Sequence, residues 1–436
     1  MNQMLTTIAL LLLCMNVAAR DLPTTKAERL GMSTPRLQQI KQINQRYVDE
    51  GKIAGISTAV ARNGKIVHFE TVGSKGVEDA RALAKDDLFR IYSMSKPITA
   101  VAAMQLYERG YFQLSDPVSK FIPELANLTV MKEGVAVPAT NTMTMQQLLS
   151  HTAGFSYGFD AQDPVDKLYI EADLWGSANL DDFANKLGKL PLKFEPGEQW
   201  HYSVAVDVTG LVVQRLSGQR FDEYLSEHIF KPLGMMDTFF VVPDDKLARF
   251  LPNHFLDPET KKPRLLSPEG SSEPGANIFE NCRAMCDYQD VTLFSGGGGL
   301  VSTTMDYMRF AEAMRNGGTF DGARILSPKT VAYMTTNHLP ASIAGGGSGE
   351  QPTLVGTALP GFGFGLGFGL VTDTAATSVM GSVGEYYWGG AAGTVFWIDP
   401  VEEIVVVSMM QLMGGWPSYR ADLKVATYQS LLESYQ

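Results

Sequence analysis

Leu88-Phe89-Arg90-Ile91-Tyr92-Ser93-Met94-Ser95-Lys96-Pro97-Ile98-Thr99-Ala100-Val101 is the stretch on which the reading turns. A strand-like Leu88 to Ile91 delivers the chain to Ser93, and a helix is predicted from Met94 to Arg109. That helix is apolar nearly all round, which predicts burial. Positions three apart share a helix face, so the Lys96 ammonium falls beside the Ser93 hydroxyl. A serine hydroxyl is a poor nucleophile without a base in reach. A lysine at an apolar site can supply one, because desolvation lowers its pKa. The helix start aims free N–H groups at developing negative charge, and Pro97 fits the first turn, where a missing donor costs little. Alone, S-x-x-K is weak, since a capping serine and an outward lysine give the same letters. It occurs once in the chain.

Two later segments strengthen it. Glu195-Pro196-Gly197-Glu198 is a turn, and Trp200-His201-Tyr202-Ser203-Val204 follows it, presenting Tyr202 at the start of a helix. Tyr387-Trp388-Gly389-Gly390-Ala391-Ala392-Gly393 leads into a C-terminal strand. Bare glycines at a strand edge let a substrate approach the backbone closely. With these three motifs the chain, from about Leu30 onward, resembles the class C β-lactamase-like serine hydrolases, and most closely the family VIII carboxylesterases. The superfamily order S-x-x-K, Y-x-N, K-T-G reads here as Ser93-Met-Ser-Lys96, Tyr202-Ser-Val204 and Trp388-Gly-Gly390. Leu149-Ser-His-Thr-Ala-Gly154, the Gly296 to Leu300 run and the Gly361 to Gly369 run belong to the same likeness.

The resemblance implies that Ser93 is the acyl-accepting nucleophile, with Lys96 and Tyr202 as coupled base and proton shuttle. Which of the two is the base stays open. It also implies an oxyanion hole from the N–H groups of Ser93 and Ala391, and a substrate-binding wall of Trp388, Gly389, Gly390 and Val204. Departures from the pattern shape the expected substrate. Val204 replaces an amide, and Trp388 replaces a lysine that attracts carboxylates. Lys329-Thr330 offers no substitute, because Ser327-Pro328 before it marks a helix start. The expectation is a cofactor-free carboxylesterase acting on short-chain esters through an acyl-enzyme, with weak side activity on cephalosporins. The alternatives are a β-lactamase or D-alanyl-D-alanine carboxypeptidase, and a non-catalytic wall- or ligand-binding module.

One decoy competes. Gly154-Phe155-Ser156-Tyr157-Gly158 matches the G-x-S-x-G nucleophile elbow, which requires strand, sharp turn and helix. Here a capped helix precedes it and a loop follows, so Ser156 is set aside, together with His338 as its partner. His151 and His201 read as structural hydrogen-bonders. The Gly-Phe alternation from Gly361 to Gly369 reads as a glycine-rich strand packed on rings. No metal-ligand spacing and no cofactor motif appears.

The ends of the chain set the fold class. Pro35 to Glu50 has helical spacing, and the β-rich runs Ile56 to Ala61 and Lys65 to Val72 are joined by Asn63-Gly64, the strongest short hairpin signal. Gly393 to Ile398 and Glu403 to Met410 form a second hairpin, and a helix from about Arg420 to Glu433 follows. An α+β fold is expected, with an antiparallel sheet built from both termini, flanked by helices, and a mostly helical inserted lobe. Residues 20–92 and 300–436 form the sheet lobe, and residues 93–299 the helical lobe.

Composition narrows the partners. Against 47 Asp+Glu stand 36 Lys+Arg, a net charge of −11 with six histidines, which argues against nucleic acid. Residues 1–19 carry no charged side chain, and Met4 to Met15 is an apolar run too short to span a bilayer, which takes about 20 residues. Val17-Ala18-Ala19 suits signal peptidase, so a signal peptide over 1–19 and an exported, periplasmic or secreted protein are expected. No membrane partner is expected beyond a signal anchor over the same segment, and the oligomeric state stays open. Cys282 and Cys286 fit either a bridge or two free thiols, and lack the further ligands zinc needs.

Overall fold

Asn63 and Gly64 both take positive φ, +48° and +71°, the conformation of a tight hairpin turn whose twist matches its strands. The turn joins β1 (Gly55–Arg62) to β2 (Lys65–Gly73). The structure, a computed structural model, describes residues 21–257, 259–266, 288–340, 343, 360–414 and 418–435. The signal-peptide segment and both cysteines of the Cys282/Cys286 pair lie outside the described residues.

The second hairpin is present at the other end. β6 (Val395–Asp399) pairs antiparallel with β7 (Ile404–Met409), and β7 pairs with β1, Val60 opposite Val406. β3 (Phe362–Phe364), β4 (Gly369–Val371) and β5 (Tyr386–Gly389) complete a seven-stranded antiparallel sheet in the order β3-β4-β5-β6-β7-β1-β2. The Gly-Phe alternation is therefore two short strands joined by a turn. A Cβ on Gly367 of that turn would stand 2.3 Å from the Ala100 side chain.

Side-chain alternation divides the sheet between two cores. Ile56, Val60, Trp397 and Val406 face one cluster with Leu37, Ile40 and Ile43 of α1 (Thr34–Asp49) and Leu423 of the C-terminal helix Tyr419–Tyr428. Ala59, Ala61, Phe396, Val405 and Val407 face the main core, which is continuous with the helical lobe. There α2 (Ser95–Glu108), buried from Ser95 to Leu106, packs against α4 (Ala205–Ser217). The short helix α3 (Met145–Leu149) begins with the capping box of Thr144 and Gln147 that its sequence announces. The fold is α+β, a sheet from both termini flanked by helices, with a mostly helical lobe inserted. That lobe also carries a small hairpin, Thr129–Lys132 with Val135–Pro138.

The two ends of the described chain are tied through Arg62. Its guanidinium is fully buried, bonds Glu402 at 2.8 Å, and donates to the carbonyls of Leu30 and Glu433 at 2.8 and 3.0 Å. Arg62→Met strands the Glu402 carboxylate, and a loss of about 3–5 kcal/mol is expected in urea unfolding. A loss under about 1 kcal/mol, the scale of an exposed pair, would refute this account.

Candidate active site

Ser93 does not open the long helix. It sits in a 3₁₀ turn, Tyr92–Met94, that leads into α2 at Ser95. Tyr92 holds φ at +43°, a strained value for a bulky residue, and its hydroxyl accepts a 2.7 Å bond from Asn253 Nδ2. The bend leaves Ser93 half-buried, while Lys96, one turn on, is 1% exposed.

Two side chains, one a single helical turn away and one 109 residues on, meet at Ser93 Oγ. The Tyr202 hydroxyl donates to it at 2.5 Å, and Lys96 Nζ stands 3.2 Å away. Tyr202 lies three residues before α4, in the segment between the Glu195–Glu198 turn and the helix. Lys96 Nζ also donates to the Gly297 carbonyl at 2.6 Å, and it lies 4.5 Å from the Tyr202 ring centroid and 5.1 Å from that of Tyr157. Burial among these rings pulls the Lys96 ammonium down to about 7, against the opposing pull of the Asp207 carboxylate. Burial pushes the Tyr202 phenol upward, partly offset by its bond to Ser93. At neutral pH a sizeable fraction of Lys96 is the free amine, while Tyr202 keeps its proton.

Asp207 and Tyr157 complete the centre, and sequence reasoning missed both. Asp207, fully enclosed in the first turn of α4, accepts from Ser295 Oγ at 2.5 Å, Gly297 N at 2.9 Å and the Tyr157 hydroxyl at 3.3 Å. Burial pushes its carboxyl up, while Lys96 and these donors favour the carboxylate. A Cβ on Gly297 would come within 2.4 Å of Asp207 Oδ2, so only glycine lets this backbone pass between Asp207 and Lys96. One signal was available: Asp207 is the only charged residue from Ala205 to Gln214. Tyr157 comes from the decoy motif itself.

The wall residues divide. Trp388 of β5 is buried with its ring 5.8 Å from Tyr202 and 5.2 Å from Phe364. Gly390 lies against the turn before Ser93, where a Cβ would stand 2.4 Å from the Ile91 carbonyl. Ala391 packs on the cluster of Tyr92, Ala392 and Met413. The missing Cβ of Gly389 points toward the Arg420 guanidinium, 2.4 Å off. Because successive residues of a strand face opposite ways, Arg420 stands on the face away from Trp388. Val204 is buried in the main core and caps α4.

The decoy groups lie elsewhere. Ser156 is fully buried and donates to Asp166 at 2.5 Å, which also holds Lys193 at 2.8 Å. His338 contacts Gln146 at 3.2 Å and the Tyr333 carbonyl at 2.8 Å. Among the described residues no cluster of three or more His, Cys, Asp or Glu could hold a metal, and no helix is long and apolar enough to cross a membrane.

Comparison with known proteins identifies the family. The family model described as Beta-lactamase matches residues 40–429. Esterase EstB of Burkholderia gladioli is 31% identical over 360 residues, spanning 80% of this chain and 84% of the relative. A putative D-alanyl-D-alanine carboxypeptidase of Escherichia coli K12 is 26% identical over 429 residues, covering 92% of this chain and 89% of its own. The solved structure of EstCE1, described as a hydrolase with promiscuous acyltransferase activity, superposes with a TM-score of 0.77 at 26% identity, covering 91% of this chain and 99% of that one. The chain belongs to the beta-lactamase family, as a serine hydrolase of its class C-like, family VIII esterase-like kind.

Proposed function

We propose that the protein is a serine carboxylesterase that hydrolyses short-chain, uncharged carboxylic esters through an acyl-enzyme on Ser93. The observation that carries this reading is the meeting of Tyr202 and Lys96 on Ser93 Oγ, at 2.5 and 3.2 Å. With Tyr202 donating to Oγ, the serine proton is left to point at the free amine of Lys96. Oγ attacks the ester carbonyl, its proton passes to Lys96, and the oxyanion rests on the N–H groups of Ser93 and Ala391. Collapse breaks the C–O bond, and the alcohol leaves with a proton relayed through Tyr202. Water, deprotonated by the same pair, then attacks the acyl carbonyl and frees the acid and Ser93. Low Lys96 and high Tyr202 pKa values support amine as base and phenol as relay.

Trp388, Gly389 and Gly390 remain the substrate side of the proposal, with Trp388 packed against Tyr202, while Val204 is enclosed in the main core and leaves that wall. Among the described residues a carboxylate-bearing substrate finds no cation on that wall, since Arg420 is behind the strand. The side activity on cephalosporins is therefore weak in this reading. The site falls between the proposed lobes, 20–92 with 300–436 and 93–299. Export follows from the apolar run and Val17-Ala18-Ala19.

The test compares nitrophenyl butyrate with a chromogenic cephalosporin on the same preparation. A kcat/KM ratio of at least about 10² in favour of the ester is expected, the cost of leaving a carboxylate without its partner. Equal ratios would assign the site to β-lactam or D-alanyl peptide substrates instead.

A further inference from the structure

Leu149-Ser-His-Thr-Ala-Gly154 is a motif that the reaction above does not use. At its centre His151 is fully buried and holds φ at +57°, an uncommon conformation for a residue other than glycine. The strained backbone has a visible consequence. The His151 carbonyl accepts the N–H of His201 at 2.9 Å, and His151 Nδ1 accepts the N–H of Ser203 at 3.3 Å, with Ser203 Oγ at 3.4 Å. Tyr202 is the residue between those two anchored amides. The imidazole also lies against the phenol, ring centroids 5.0 Å apart.

We infer that His151 is the positioning residue for Tyr202, gripping the backbone on both sides of it so that the phenol meets Ser93 Oγ. The inference rests on the reading of Tyr202 as proton relay. The platform behind His151 is fixed: Thr152 N bonds the Gln147 carbonyl at 3.0 Å, and Gln147 belongs to the capping box of α3. Next to it, Gly197 N bonds the Thr152 carbonyl at 2.8 Å, tying down the turn that leads to Tyr202. An Nδ1 that accepts a backbone N–H places the ring proton on Nε2. Nε2 is buried without a hydrogen-bond partner among the described residues, and the rings of Trp200 and Phe364 lie 6.0 and 5.4 Å from the imidazole. Burial holds the imidazole well below its usual range, so the accepting form persists across the working pH. The Tyr202 hydroxyl needs placement to within an ångström, because misplacement of that size costs about 10²-fold in rate.

The experiment is a double-mutant cycle on nitrophenyl butyrate hydrolysis. His151→Ala is expected to lower kcat by about 10²-fold with KM nearly unchanged. His151→Asn should recover about tenfold of that loss, because an amide oxygen takes the Nδ1 position and asparagine tolerates positive φ. In a Tyr202→Phe background His151→Ala should cost less than about threefold more, since the group it positions is gone. Should the alanine variant not fold, His151→Gln, whose amide reaches past the Nδ1 position, takes its place with the same expectation. Losses that multiply fully in the double variant, or no recovery with asparagine, overturn the inference and leave His151 a general structural residue. Wild-type activity in Tyr202→Phe alone overturns the reading of Tyr202, and the inference with it.

Discussion

Ser93→Ala is expected to lower nitrophenyl butyrate turnover by about 10⁴-fold or more, the scale seen when a covalent nucleophile is removed. Loss of Oγ removes both the attacking atom and the point where the phenol and the amine meet. It should cost little in folding. Ser93 is half-buried, and Lys96 keeps its 2.6 Å bond to the Gly297 carbonyl. The residual rate is expected from the proposed oxyanion donors and from substrate binding. A fluorophosphonate probe should label the native protein once and the variant not at all. Ser156→Ala supplies the contrast. It removes a buried bond to Asp166, costs about 1 kcal/mol of stability, and leaves kcat intact. A Ser93→Ala enzyme within about tenfold of the native rate would remove the acyl-enzyme.

What could be read from the letters was local. The Asn63-Gly64 turn, the Thr144–Gln147 capping box and the all-round apolar character of the helix before Arg109 each depend on neighbours a few residues apart. The three motifs were legible through resemblance, because their order and spacing survive in the chain. Missing was whatever depends on distant segments being packed together. The Gly296 to Leu300 run lies along the first turn of α2: Thr99 Oγ1 donates to Gly296 O at 2.8 Å, and Leu300 N donates to Ser95 Oγ at 3.1 Å. Only that contact places the Gly297 carbonyl on Lys96 and its amide on Asp207. Tyr157 was hidden for the opposite reason. A familiar pattern drew attention to Ser156 in its middle, while the tyrosine after it faces the site. The letters predicted burial around Lys96, but not that the Tyr202 phenol is enclosed as well, and the proposed division of base and relay rests on both.

Lys96→Met should come close to the serine variant in severity, a loss of about 10³-fold or more, because it removes the base from a hydroxyl that cannot ionise unaided. Methionine fits the same apolar surroundings, so the protein should remain folded. Lys96→Arg should be as inactive, since a guanidinium does not give up its proton near neutral pH. The native pH profile follows from the same group. Its pKa of about 7 means the amine carries a proton below that value and cannot accept one from Ser93. Activity should therefore fall as pH drops through about 7, approaching tenfold per pH unit, and level off above it until the phenol titrates at much higher pH. Asp207 opposes the burial effect by favouring the ammonium, so the limb lies higher than desolvation alone would set it. A profile flat from about pH 5 to 9 would point to a base that does not titrate there, and Lys96 would lose the role.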